Sequence, residues 1–334
     1  MIQADNLVKA FARPVRIDGR FSAVRTLFTR QRQRSVAVDG VRLAIAEGEI
    51  VGYLGPNGAG KSTTIKMLTG ILVPTSGTAT VAGIVPWENR SANARNIGVV
   101  FGQRSQLWWD LPLDESLRLI GKMYDVEPTR FRQNRDMLVE LLQMESFLAT
   151  PVRQLSLGQR MRGDLAAAML YEPRVLYLDE PTVGLDVVAK ERTRQFVEEV
   201  NRESGTTIML TTHDLADVER LCKRIIFIAQ GSVLYDGPVA DLKRRYAPYR
   251  QLEITMVPDS GIDGGDPVQL DVPGAEIVEQ DAARVVIRFD PELVAVPDLI
   301  SAVIASHPVS DISIVEPDLE GVVREIVEHG GMPS

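Results

Sequence analysis

Two kinds of hydrophobic spacing alternate along most of the chain. Apolar residues recur near every 3.6 positions through 105–172, which predicts helices there. Short apolar runs bounded by turn residues predict strands at 1–10, 35–45, 49–54, 175–178 and 207–210. Strands that alternate with helices are typical of an α/β core built around a parallel sheet.

The pattern changes after Tyr249, where turns rich in Gly, Pro and Asp separate the apolar runs. Strands are predicted at 251–256, 284–289 and 311–315, and helices at 297–306 and 319–329. We therefore expect a first α/β domain over 1–245, with a helical subdomain at about 105–170, and a small α+β domain over 246–334.

Charge divides the chain at the same place. The net charge is −8, yet residues 1–250 hold 34 Lys and Arg against 28 Asp and Glu, and residues 251–334 hold 3 against 17. So many acids argue against a nucleic-acid partner, since phosphate contacts need cations. The single Cys222 and a start without a leader-like segment favour the cytoplasm, and no apolar run is long enough to cross a bilayer.

A phosphate-binding loop follows the predicted strand 49–54 and precedes a predicted helix 63–68. Glycines let backbone N–H groups turn toward phosphates, the helix start adds partial positive charge, Lys61 adds a full charge and Ser62 can ligate Mg²⁺. The predicted ATP contacts in this loop are Gly55, Asn57, Gly58, Gly60, Lys61, Ser62 and Thr63.

Two acids end the predicted strand 175–178. Asp179 is placed to hold Mg²⁺ through water, and Glu180 to orient or deprotonate the attacking water. Together with the loop, they predict a nucleotide-hydrolysing site.

Residues 155–160, LSLGQR, resemble the signature LSGGQ of the ATP-binding subunit of an ABC transporter, with Leu157 where the first signature Gly usually stands. The resemblance covers about residues 2–245. It implies that Ser156, Gly158 and Gln159 close over the γ-phosphate of ATP held by a second copy. Altered packing is expected at Leu157.

Further motifs of the family follow in order. By resemblance, Gln103 contacts Mg²⁺ and the attacking water, Asp186 lies in the loop through which two subunits sense each other, and His213 hydrogen-bonds the γ-phosphate. Phe11 fits the adenine-stacking aromatic residue; Phe21 or Phe28 could serve instead, or Phe11 could belong to the core.

Residues 12–34 look like an Arg-rich insertion relative to the family. Phe21, Val24, Leu27 and Phe28 have helical spacing, flanked by Arg. Such a helix suits an anionic lipid surface or an acidic face of a partner; a solvated loop is the alternative.

Two other features leave alternatives open. Trp108 and Trp109 could anchor a helix of a membrane subunit or pack inside the helical subdomain. The acidic domain favours dimer stabilisation, with a regulatory ligand site as the alternative. His307 and His329 have no neighbours at metal-ligand spacing and are interpreted as structural or surface residues.

The resemblance, strongest to drug and polysaccharide exporters, implies an α/β P-loop ATPase of the ABC type. Two copies would sandwich two ATP with Mg²⁺ and drive export through separate permease subunits, as peripheral proteins on the cytoplasmic face of the membrane. Soluble ABC ATPases of ribosomes or DNA and simple nucleotide kinases are the other classes weighed. The former usually carry two cassettes or long coiled coils, and a kinase would leave LSLGQ and TTHD unexplained.

Overall fold

The computed structural model describes two compact units, Met1–Gly237 and Pro238–Ser334. The residues that it describes are 1–14, 32–102, 104–246, 249–257, 268, 270, 272–281, 283–305, 308–316, 319 and 321–323. Gln103 and most of the Arg-rich segment, including Phe21 and Phe28, therefore lie outside the described residues, as do His307 and His329.

A six-stranded sheet forms the centre of the first unit, with strand order β5-β6-β7-β3-β8-β9. The pairs β5–β6, β6–β7, β3–β7 and β3–β8 are all parallel. This confirms the predicted α/β class. The strands are β3 (Ile50–Leu54), β5 (Ile97–Phe101), β6 (Val175–Asp179), β7 (Thr207–Thr211), β8 (Arg224–Ala229) and β9 (Ser232–Pro238).

A second sheet of the first unit is antiparallel, with the order β2-β1-β4. Its strands are β1 (Ile2–Pro14), β2 (Arg32–Ile45) and β4 (Ser76–Val81). The prediction of a short first strand ending at residue 10 is wrong, because β1 continues in register with β2 as far as the Pro14–Arg32 pair. The ends of the supposed insertion 12–34 are thus strand residues.

Helices flank these sheets in the first unit. They are α1 (Lys61–Leu68), α2 (Arg90–Asn96), α3 (Leu113–Met123), α4 (Pro128–Leu141), α5 (Leu157–Met169), α6 (Val187–Ser204) and α7 (Leu215–Leu221). Helices α3, α4 and α5 lie in the segment where helices were predicted. A Cβ added at Gly163 of α5 would lie 2.8 Å from Leu113 Cδ1 of α3, so α3 and α5 pack closely.

The second unit begins at Pro238, eight residues before the predicted domain start, and its first element is α8 (Val239–Tyr246). Four antiparallel strands follow in the order β11-β12-β10-β13. Their bounds are β10 (Arg250–Met256), β11 (Ala275–Gln280), β12 (Arg284–Phe289) and β13 (Val309–Val315), with α9 (Val296–Ile304) between the last two. The α+β prediction is confirmed, although β11 was not predicted. Of the predicted final helix, only Leu319 and 321–323 are described.

Across the described part of both units, no helix has the length and apolar character needed to span a membrane.

Candidate active site

The glycine-rich loop between β3 and α1 has two positions that only glycine fits. Gly60 has φ +108°, and a Cβ there would lie 2.4 Å from the carbonyl oxygen of Ala37. A Cβ at Gly55 would lie 2.0 Å from the Ile228 carbonyl oxygen. No side chain caps the start of α1. Its first N–H groups are therefore available to an anion, as a phosphate site requires.

The loop also encloses a lysine. Lys61 is buried, and its Nζ donates hydrogen bonds to the carbonyl oxygens of Gly55 at 2.5 Å and Pro56 at 3.3 Å. Burial lowers the pKa of the Lys61 ammonium, and the nearby Glu180 and Asp179 carboxylates oppose that shift. The ammonium is thus held inside the loop, where a phosphate would meet it.

A hydroxyl and a carboxylate face each other next to this loop. Ser62 Oγ donates to Asp179 Oδ2 at 3.2 Å, and Thr211 Oγ1 donates to Asp179 Oδ1 at 2.5 Å. Mg²⁺ prefers such oxygen ligands, so Ser62 and Asp179 fit the ion. Gln103, predicted as a further ligand, follows β5 but lies outside the described residues.

Glu180 and His213 form a pair at the ends of β6 and β7. His213 Nε2 lies 3.1 Å from Glu180 Oε1, and the backbone N–H of His213 donates to Glu180 Oε2 at 3.3 Å. Burial raises the pKa of the Glu180 carboxyl, while the His213 and Lys61 charges oppose that shift. A carboxylate with a raised pKa is better suited to accept a proton near neutral pH.

One cavity of about 700 Å³ joins these groups. It brings together most of the predicted site residues, namely Asn57, Gly58, Gly60, Lys61, Ser62, Thr63, Asp179, Glu180 and His213. The other lining residues, none of which was predicted as a contact, are Ala37, Pro56, Ala59, Lys66, Ile71, Phe101, Gly102, Arg104 and Val183. Arg104 could have been suspected, because a cation directly follows the predicted Mg²⁺ contact Gln103.

Phe11 is not among the described residues that line the cavity. It pairs with Ser35 across β1 and β2, and Lys9 Nζ lies 5.3 Å from its ring centroid. Residue Ala37 of β2 reaches the cavity instead. An adenine-stacking role for Phe11 stays a prediction.

Gly55 of the phosphate loop does not line the cavity, and four other predicted residues form a second cluster outside its lining, namely Ser156, Gly158, Gln159 and Asp186. Ser156 caps α5: its Oγ accepts from Gln159 N at 3.2 Å, and Gln159 Oε1 accepts from Ser156 N at 2.9 Å. Asp186 caps α6 by accepting from Ala189 N at 2.8 Å. A Cβ at Gly158 would lie 3.1 Å from Ala189 Cβ, so the starts of α5 and α6 lie side by side.

Leu157 supplies packing at this second cluster. Its Cδ2 lies 3.0 Å from the position that a Cβ of Gly184 would take. The capping bonds of Ser156 and Gln159 are made with Leu157 in place. The departure from the signature therefore leaves the start of α5 intact.

A parallel sheet, a glycine-rich loop at a helix start and acids at a neighbouring strand end define a P-loop nucleotide-binding protein. The family model described as ABC transporter matches residues 38–183. The linearmycin resistance ATP-binding protein LnrL of Bacillus subtilis is 31% identical over 263 residues, which are 79% of this chain and 76% of LnrL. The chain belongs to the ATP-binding proteins of the ABC transporter family.

Two further comparisons agree. The probable multidrug ABC transporter ATP-binding protein YbhF of Escherichia coli is 36% identical over 222 residues, 66% of this chain, and the match spans only 38% of YbhF. An ATP-binding cassette solved as a dimer in a post-hydrolysis state, with ADP and Pi bound, superposes with a TM-score of 0.59 at 28% identity. That superposition covers 72% of this chain and 99% of the cassette.

Proposed function

We propose that this chain binds ATP with Mg²⁺, hydrolyses it, and thereby powers export through separate membrane permease subunits. The observation that carries the proposal is the single cavity that unites the phosphate loop, the Ser62–Asp179 pair and the Glu180–His213 pair. Each of these groups performs one part of a phosphoryl transfer to water.

Lys61 and the N–H groups of the loop bind the β- and γ-phosphates. Ser62 and Asp179 would hold Mg²⁺, whose charge would offset the negative charge that develops on the phosphate oxygens. Glu180 takes a proton from water as the water oxygen bonds to the γ-phosphorus. The bond from that phosphorus to the β,γ-bridging oxygen breaks, giving ADP and phosphate. His213, which lies against Glu180, orients the γ-phosphate, and Gln103 is proposed to contact Mg²⁺ and the water.

A second copy completes each site in this proposal. Ser156 is exposed at the start of α5, and neither it nor Gly158 or Gln159 lines the chain's own cavity. A helix start binds anions, so this surface suits the γ-phosphate of ATP held by another copy. The relative solved as a dimer supports the arrangement.

Replacing the proton acceptor tests the hydrolysis. Glu180→Gln keeps the size of the side chain, and we expect ATP hydrolysis to fall ~10²–10⁴-fold. ATP affinity should change little, because Lys61 and the loop remain. Glu198→Gln is the matched control, since Glu198 is a half-buried, paired carboxylate on α6 that does not line the cavity. Unchanged hydrolysis in Glu180→Gln would contradict the proposal.

Trp108 and Trp109 are the proposed anchors for a permease helix. Both residues are exposed, by 36% and 52%, and the Arg160 guanidinium carbon lies 5.6 Å from the Trp109 ring centroid. Large exposed aromatic rings often dominate binding energy at interfaces. Replacing each Trp by Ala should reduce co-purification with the permease, whereas Met123→Ala, an exposed apolar change on α3, should not. Ribosomes or DNA as the co-purifying partner would overturn the export proposal.

We place the chain at the cytoplasmic face of the membrane, as a peripheral subunit. The names of relatives as multidrug and linearmycin resistance proteins support export. Contact of the 12–34 segment with anionic lipid is part of this proposal. Replacing the Arg residues of that segment by Gln should weaken flotation of the chain with anionic vesicles, and unchanged flotation would contradict it.

We propose that the acidic unit stabilises the dimer. We also propose that the chain has no nucleic-acid partner. Leu293 and Ile314 leave apolar surface exposed on that unit. Replacing both by Asp should shift sedimentation of the full chain toward the monomer, and an unchanged equilibrium would favour a regulatory role instead.

A further inference from the structure

A buried carboxylate lies beside the candidate site without lining it. Asp217 of α7 is 1% exposed and accepts hydrogen bonds from two side chains. Thr182 Oγ1 donates to its Oδ2 at 2.6 Å, and Arg194 Nε of α6 donates to its Oδ1 at 2.6 Å. A buried charge of this kind persists only when it is paired and hydrogen-bonded, as it is here.

One of these partners belongs to the loop that follows Glu180. Thr182 comes two residues after Glu180, and its carbonyl oxygen accepts from Leu185 N at 3.2 Å. That bond closes a turn in which Gly184 has φ +74°. The turn leads directly to Asp186, the cap of α6. The Thr182 hydroxyl therefore ties the whole 182–186 turn to α7.

Asp217 is also hydrogen-bonded to the segment that contains His213. Asp217 N donates to the carbonyl oxygen of Asp214 at 3.1 Å, and the Asp214 carboxylate accepts from Lys190 Nζ of α6 at 2.6 Å. Asp214 directly follows His213, whose Nε2 lies 3.1 Å from Glu180 Oε1. The Arg194–Asp217 pair thus joins α6 to α7, and the Lys190–Asp214 pair joins α6 to the residue that follows His213.

We propose that Thr182 and Asp217 are positioning residues that hold Glu180 in its hydrolytic geometry against His213. Glu180 has φ +59°, a backbone conformation that side chains other than glycine rarely adopt. Such a conformation persists only where the surroundings impose it. The hydrogen bond from the Thr182 hydroxyl to the Asp217 carboxylate holds the loop after Glu180 in place. Without that bond, the Glu180 backbone can relax to a negative φ. This inference rests on the proposed ATP hydrolysis.

A purely structural role makes a different prediction. Neither Thr182 nor Asp217 is among the described residues lining the cavity, so neither is placed to touch ATP. Loss of stability alone would lower activity only in proportion to the folded fraction. Loss of positioning lowers the turnover number of fully folded protein and leaves nucleotide affinity unchanged, because Lys61 and its loop are separate from this network.

Thr182→Val in the full chain is the test, since valine keeps the shape and removes only the hydroxyl. We expect kcat for ATP hydrolysis to fall about 10- to 100-fold, with the dissociation constant for ATP within about threefold of the wild type. Thr182→Ser should restore kcat, because serine keeps the donor. Thr193→Val is the matched control: Thr193 is equally buried, and its hydroxyl donates within α6, to Ala189 O at 3.0 Å.

Equal kcat in Thr182→Val and Thr193→Val, or a loss in Thr182→Val that serine does not restore, would overturn the inference. Asp217→Asn, which keeps the shape of the acceptor, should also lower kcat at unchanged ATP affinity. Glu180→Gln separates the two proposals. If that variant hydrolyses ATP normally, the proposed function fails; if it is inactive while Thr182→Val is fully active, only the positioning role fails.

Discussion

The two compact units differ in what they bury. Every buried polar or charged residue in the described ranges lies in Met1–Gly237, including Lys61, Asp164 and Asp217. The described interior of Pro238–Ser334 is apolar, built from residues such as Leu252 and Leu299. Buried polar groups cost free energy unless they are bonded, and one of them, Lys61, lines the candidate site. The difference indicates that the chemistry lies in the first unit's interior.

The largest effect that would sharpen this comparison is expected at the phosphate loop. Gly60→Ala places a Cβ 2.4 Å from the Ala37 carbonyl oxygen, on a backbone with φ +108°. The loop must then shift, and we expect ATP affinity to fall at least ~100-fold, since binding needs the N–H groups in place. Isothermal titration with ATP measures this loss.

Gly58→Ala is the control for that prediction, because it adds the same methyl group where nothing lies within 4 Å. Its φ of +82° still carries a backbone penalty of roughly 1–2 kcal/mol, so a smaller loss of affinity is expected. Equal losses in both variants would show that strain alone, and not the close approach to Ala37, governs the loop.

An intermediate effect is expected in the second unit. Leu299 of α9 is fully buried in the apolar core, so Leu299→Ala should lower the free energy of unfolding of this unit by about 2–5 kcal/mol. Urea unfolding, followed together with ATP hydrolysis, measures both quantities. Because the chemistry lies in the first unit, ATP hydrolysis per folded molecule should stay unchanged. Ile304→Ala, at an exposed position of the same helix, should change neither. Reduced hydrolysis in folded Leu299→Ala would contradict the comparison.

The smallest effect concerns Asp164, which lies in α5 and accepts from Ser105 Oγ and Gln106 N, both at 2.9 Å. Burial raises the pKa of the Asp164 carboxyl to about 6. Because the folded-state value lies above the unfolded one, this group's contribution to stability is full below about pH 4 and is lost as pH rises through about 6.

Asp164→Asn stays neutral at every pH and keeps an acceptor oxygen. The free energy of unfolding of Asp164→Asn, taken relative to that of the wild type, should therefore rise by roughly 1–3 kcal/mol between about pH 4 and pH 7. Chemical denaturation at both pH values measures the gain. Asp125→Asn, at an exposed position, should show no such trend, and an equal trend there would remove Asp164 as the cause.

Sequence patterns predicted the parallel core and most elements of the second unit. The reason is that these signals are local. The spacing of apolar residues and the glycines before Lys61 indicate backbone conformation and burial, whichever segments they later contact. The errors have a physical cause as well. The full length of β1 depends on pairing with β2, and β11 on pairing with β12, which no local spacing encodes.

For the site, the sequence alone determined the chemistry: which residues carry the cation, the hydroxyl and the carboxylates that a phosphate and Mg²⁺ need. It did not determine which of them meet. Only the tertiary structure brought Ser62 to Asp179 and His213 to Glu180, added Arg104 to the cavity, and left Phe11 outside its described lining. It alone placed Thr182 against Asp217. The reason is that contacts between residues far apart in the chain follow from strand order and helix packing, whereas the chemical groups are inherent in each residue.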